Sequence, residues 1–152
     1  MSRILDLGKS NENLVSIILE YEDILSGYEN NLTLKNKTLE QALKEQAGWV
    51  AYYHERRVEL KTIVQHIECQ LKRVRGQLYV QYNENYNPAL GDRAIEKYID
   101  REPEYLNMYQ LLLEVQEILE KYNLVLDAFN RRGFVLRDIT ASRVAAVNDI
   151  TL

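Results

Sequence analysis

Cysteine occurs once in this chain, at Cys69, so no internal disulfide can form, and the chain suits a reducing compartment, with the cytoplasm as the default. Proline contributes two residues and glycine six of 152, which excludes collagen-like and low-complexity architectures. Histidine is also scarce. His66 and Cys69 lie three apart and can share a helix face, but two ligands do not make a zinc site and His54 is the only other histidine, so both are read as buried small residues and no metal is expected. Phosphate-cradling glycine loops, nucleophile elbows and metalloprotease helix motifs are missing. Acidic groups such as Glu20, Glu22 and Asp23 have no accompanying base and read as a solvated face. Neither enzymatic activity nor a cofactor is expected. Long apolar runs are absent too: "LVSIIL" stops at Glu20, too short for a signal-peptide core or a membrane span, so the chain is expected to be neither exported nor inserted.

What is present points to helices. Hydrophobic residues make up 46% and charged residues 28%, enough apolar material for one folded domain. Leu14, Ile18, Tyr21, Leu25 and Tyr28 recur at steps of four and three, predicting a first helix over residues 11–26, with Ser10 or Asn11 as N-cap and Gly27 as terminator. After a polar stretch, Leu60, Val64, Ile67, Leu71, Val74 and Leu78 continue the same alternation within a long helix over 38–82. "YNENYNPALG" then gathers Asn83, Asn85, Asn87, Pro88 and Gly91, a turn composition that reverses the chain. A second helical arm follows over 92–132, its longer part opening at Pro103, and residues 133–152 form a C-terminal segment. The expected fold is all-α: a single helical domain built on a long antiparallel helical hairpin with an extra N-terminal helix.

The second arm carries the most regular pattern. Tyr105, Leu112, Leu119 and Leu126 repeat every seven residues, interleaved with Met108, Val115, Tyr122 and Phe129. Leu111, Ile118 and Val125 widen that face beyond what one antiparallel partner covers, so these heptad positions, with Phe134 beyond them, are expected to meet a second subunit. Gly133, after the basic turn Asn130-Arg131-Arg132, is expected to close the helix in the left-handed conformation, with Phe134 folding back on Phe129 and Leu126.

Charge is unevenly spread, although the net value is -4. Residues 54–75 hold Arg56, Arg57, Lys61, Lys72, Arg73 and Arg75 against Glu55, Glu59 and Glu68, whereas residues 102–122 hold Glu102, Glu104, Glu114, Glu117 and Glu120 against Lys121. With the apolar stripe facing inward, Lys61, Gln65, Glu68, Lys72 and Arg75 line an outward stripe, with Arg73 further round. Cations so placed can meet phosphates, and Tyr79 and Tyr82 offer faces on which unpaired bases can stack. The plainer reading is a solvated helix face whose tyrosines pack.

"NRRGFVLRD", residues 130–138, following a long amphipathic helix, resembles the C-terminal part of the phage UvsY family of recombination mediators. "LKRVRGQLYVQY" resembles that family's basic, aromatic helix end, and "YIDREPEYL" the start of its second long helix; the resemblance covers residues 49–145. It implies a homo-oligomeric ring of roughly six or seven subunits. It also implies binding of single-stranded DNA and help for a RecA-like recombinase in displacing single-strand-binding protein, in the cytoplasm of a bacterial host. Arg131, Arg132 and Arg137 then join the helix-two cations as candidate DNA contacts. The alternative is a non-enzymatic coiled-coil structural or adaptor protein of a phage or bacterial assembly, which the heptads fit equally well.

Overall fold

A computed structural model of the chain describes residues 11–85 and 91–149, with side chains over 13–85 and 91–147. The described residues are all-helical, in five elements: α1 Asn11–Ser26, α2 Tyr28–Leu32, α3 Leu39–Asn85, α4 Asp92–Ile99 and α5 Pro103–Asp149. No helix among them is long and apolar enough to cross a membrane. The expected N-cap Ser10 and the turn residues Asn87 and Pro88 lie outside the described residues.

The start of α3 has a local cause. Thr38 Oγ1 accepts from the Gln41 amide at 3.2 Å while Gln41 Oε1 accepts from the Thr38 amide at 3.1 Å, a reciprocal cap that satisfies two orphan donors. Asn36, at φ 62, turns the chain before it, a conformation that asparagine tolerates better than most side chains. Pro103 occupies the first position of α5, where a missing N–H removes no helical bond.

Contacts group the described residues into two compact units: those up to Glu59 together with those from Ile118 on, and those of Leu60–Glu117. In the first unit, Leu14, Ile18, Tyr21 and Leu25 of α1 are buried, as the helical spacing predicts, while Tyr28 falls in α2 and is half-buried. An aromatic cluster fills the interior. Tyr53 stacks on Phe129 with centroids 5.0 Å apart, Tyr122 lies 6.2 Å from Tyr53, and Tyr21 meets Tyr122 edge-on at 6.3 Å. Tyr122 donates its hydroxyl to the Tyr21 carbonyl at 2.9 Å, and Asn31 donates to the Tyr53 hydroxyl at 3.0 Å.

Burial pushes both the Tyr122 and the Tyr53 phenol above the ordinary tyrosine range, with the Asn31 hydrogen bond partly opposing the shift at Tyr53. A phenol harder to ionise when folded holds its proton more tightly than in the unfolded chain. Its stabilisation is therefore complete below about pH 10 and is lost as pH climbs from there through the raised folded value. The melting temperature is expected to fall steeply above about pH 10, and Tyr122→Phe to flatten that fall relative to the parent. Equal alkaline slopes in thermal melts of the two proteins would remove Tyr122 from this account.

In the second unit, Leu60, Val64, Ile67, Val74 and Leu78 of α3 are buried and Leu71 is half-buried, so the predicted inward stripe is the observed one. Val74 and Leu78 pack with Ile95 and Ile99 of α4, and Tyr79, Tyr82 and Tyr105 close the rim of this cluster.

Three expectations about the last helix are corrected. Gly133 does not end it: α5 continues to Asp149, and no glycine among the described residues has positive φ. Residues 134–147 contain neither proline nor glycine, and Leu136, 1% exposed, anchors the continuation in the core. Phe134 does not fold back on Phe129; it is 57% exposed. The proposed intersubunit seam is largely spent inside the chain. Met108, Leu112, Val115, Tyr122, Leu126 and Phe129 are buried, Tyr105 and Leu119 half-buried, so a second subunit cannot reach most of them in this fold. The large exposed apolar side chains of α5 among the described residues are instead Leu106, Tyr109, Leu113, Leu124, Phe134, Val135, Val144 and Val147.

Candidate nucleic-acid interface

The outward stripe of α3 in the second unit starts from Lys61 and Lys72, eleven positions apart and thus on one side of the helix, roughly 16 Å along its axis. Both are exposed, as is Arg73, and none of the three has a carboxylate partner among the described residues. Arg75, also exposed, lies 3.6 Å from Glu96 of α4. Gly76 follows within one turn of Lys72 and Arg73, and a Cβ placed there would meet nothing within 4 Å. The helix backbone is therefore bare beside two unpaired cations, which lets another chain approach closely.

The tyrosines of this stretch are engaged. Tyr79 donates to Asp92 Oδ1 at 2.7 Å, and this bond, with the neighbouring carboxylate charge, raises the phenol above its ordinary range. Tyr82 donates to Glu102 and stacks on Tyr98 with centroids 5.5 Å apart. Both are half-buried rim residues of the α3–α4 cluster.

Other cations named from the sequence have different tasks. Arg56 donates to the Tyr52 carbonyl at 2.8 Å and lays its guanidinium 3.3 Å from the centre of the Tyr52 ring. Arg57 donates to Asn123 at 2.5 Å. Each is half-buried within the first unit. Arg131 is exposed, and Arg137 is exposed beside Asp138 at 3.3 Å with its guanidinium 5.3 Å from the Phe134 ring.

Arg132 is a correction to the candidate contacts. Its side chain is 3% exposed. Nε donates to the Leu32 carbonyl at the end of α2 at 3.0 Å, and Nη1 donates to the Ala42 carbonyl at 3.3 Å and to Gln46 Oε1 at 2.6 Å. Glu45 stands 3.9 Å from Nη2, and desolvation lowers the guanidinium's proton affinity while that carboxylate opposes the shift. Gln46 in turn donates through Nε2 to the Phe129 carbonyl at 2.6 Å. A Cβ on Gly133 would sit 3.0 Å from that same Nε2, so the glycine makes room for the amide. The Arg-Gly pair thus ties α5 to α2 and α3. A signal for this was present in the spacing: Tyr122, Val125, Phe129, Arg132 and Leu136 fall on one buried stripe, with arginine at a core position.

Cys69 is exposed and His66 half-buried, against the expectation that both are buried. No group of three or more His, Cys, Asp or Glu among the described residues is arranged to hold a metal ion. No protein-family model, curated protein or solved structure matches the chain.

Proposed function

We propose that this chain binds single-stranded DNA through Lys72 and Arg73, with Lys61 and Arg75 as flanking contacts, and acts as a recombination mediator of the UvsY type. In this role it helps a RecA-like recombinase replace single-strand-binding protein. The observation that supports the reading is the pairing of two cations that lack carboxylate partners among the described residues with the bare backbone at Gly76, on the exposed side of a helix whose other side is anchored in a core. Phosphates neutralised by such cations release counterions, which makes binding strong at low salt and independent of sequence. One such patch per subunit is weak. A homo-oligomeric ring of subunits, each built on a helical hairpin, multiplies it along one strand and bends that strand away from its previous protein.

The test is a fluorescence-anisotropy titration of the full chain with a labelled oligothymidylate across a salt series. Lys72→Ala/Arg73→Ala is expected to weaken binding and to flatten the dependence of log affinity on log salt by about 0.7 per lost contact, without changing helicity. An unchanged slope rules this surface out.

A second reading, a coiled-coil structural adaptor, is favoured by the exposed apolar residues Phe134, Val135, Val144 and Val147 near the end of α5. An adaptor needs no oligonucleotide affinity, so the same titration separates the two.

A further inference from the structure

The acidic side chains of α4 and of the turn after it stand against the same part of α3 that the strand-binding reading uses. Asp92 accepts from Tyr79, Glu102 accepts from Tyr82, and Glu96 faces Arg75 at 3.6 Å. Three carboxylates therefore occupy one cation and two hydroxyls along residues 75–82. To these donors a carboxylate and a phosphodiester look alike: each spreads negative charge over oxygens that accept charge-assisted hydrogen bonds.

Two kinds of contact hold α4 in place, and they differ in permanence. Ile95 and Ile99, 1% and 0% exposed, pack on Val74 and Leu78, and this apolar anchor is indifferent to charge. The polar contacts lie at the rim, where the Glu96 and Arg75 side chains are 57% and 44% exposed. Exposed pairs of this kind are weak and are readily exchanged for another anion. The carboxylates can rotate away while the helix stays docked.

We propose that Asp92 and Glu96, with Glu102, set the affinity and the salt dependence of the site by competing internally with phosphate. This inference rests on the strand-binding reading. Lys72 and Arg73 meet the strand first, because no carboxylate among the described residues pairs with them. Arg75 joins only when phosphate displaces Glu96, and the freed carboxylate then takes up a cation from solution, offsetting the counterion that the phosphate releases. Tyr79 is released in the same exchange when the strand draws it from Asp92. The chain consequently binds more weakly, and with a shallower salt dependence, than its cations alone would dictate.

The experiment compares the full chain with Asp92→Asn/Glu96→Gln and with the charge-matched control Glu104→Gln/Glu114→Gln, which alters two other exposed acids of the same unit. Each is titrated with labelled oligothymidylate over a salt series. The amides keep side-chain volume, and circular dichroism melts confirm that each protein is folded. Asp92→Asn/Glu96→Gln is expected to bind about 3- to 10-fold more tightly than the control, with a salt slope steeper by up to about 0.7, the contribution of one further phosphate contact. Equal gains in both double variants would show that only net charge matters and would overturn the proposal, as would a tighter complex with an unmoved slope in every variant. The strand-binding reading fails separately: if Lys72→Ala/Arg73→Ala binds as the parent does, the site itself is wrong and the competitor falls with it. If that variant loses binding while neutralising Asp92 and Glu96 changes nothing, the site stands and only the competition is refuted.

Discussion

Arg132→Ala lowers the stability of the chain by about 3–5 kcal/mol, whereas Arg131→Ala changes it by no more than about 0.5 kcal/mol. The neighbours are chemically identical and differ only in where the helix points them. Arg131 is exposed, while Arg132 reaches the Leu32 and Ala42 carbonyls and the Gln46 amide from a nearly closed position. Truncation removes the packed stem and leaves the Leu32 carbonyl and Gln46 Oε1 without that donor; an unsatisfied buried acceptor costs about 1–3 kcal/mol. Ala42 suffers least, because its carbonyl sits within α3 and retains the helical bond. Arg132→Met keeps most of the stem and is expected to recover part of the loss, dividing packing from hydrogen bonding. Urea denaturation of the three variants checks this ordering. A double-mutant cycle with Gln46→Ala should return a coupling energy above about 0.5 kcal/mol, since the two side chains share a bond. Similar losses for Arg131→Ala and Arg132→Ala would show that the clamp is not formed.

Phe129→Ala is the second large effect, about 3–5 kcal/mol, from the lost burial of the ring and the cavity left behind. Phe129 is 0% exposed, stacks on Tyr53 and lies 6.5 Å from Trp49, so neighbouring rings must either stay apart across a void or rotate off their preferred rotamers. Its carbonyl is also the one that Gln46 holds, which couples the aromatic cluster to the Arg132 clamp. The melting temperature is expected to drop by roughly 10 °C, and Phe129→Leu by less than half as much. Leucine and alanine behaving alike would mean that the site collapses freely and the cluster is not tightly packed.

Both variants also sharpen the functional test. They lie in the unit formed by residues up to Glu59 and from Ile118 on, whereas Lys72, Arg73 and Arg75 belong to Leu60–Glu117. At a temperature where Arg132→Met remains folded, its affinity for a very short oligonucleotide should match the parent's. A selective loss of short-strand binding would return Arg132 to the candidate DNA contacts.

Periodicity was enough to read the inward faces of α1 and of α3 over residues 60–78. Steps of three and four placed Leu14, Ile18, Tyr21 and Leu25 on one buried stripe, and did the same for Leu60, Val64, Ile67, Val74 and Leu78. Pro103 marked a helix start by its own backbone chemistry. Such features are local: they depend on residues within a turn or two, and the sequence carries them whole. Which face was exposed was therefore legible, including the cations at positions 61, 72, 73 and 75. What covers an apolar face is not local. The heptad positions of α5 looked available to a second subunit because an apolar stripe reads the same whether its partner is another chain or a distant part of its own. Gly133 read as a stop because that rule weighs a glycine and a basic turn, and takes no account of the Gln46 side chain that arrives from 87 positions earlier in the chain and needs the missing Cβ. The two adjacent arginines divide the same way: composition made both of them cations, and only long-range packing against α2 and α3 made Arg132 a buried strut and left Arg131 in water.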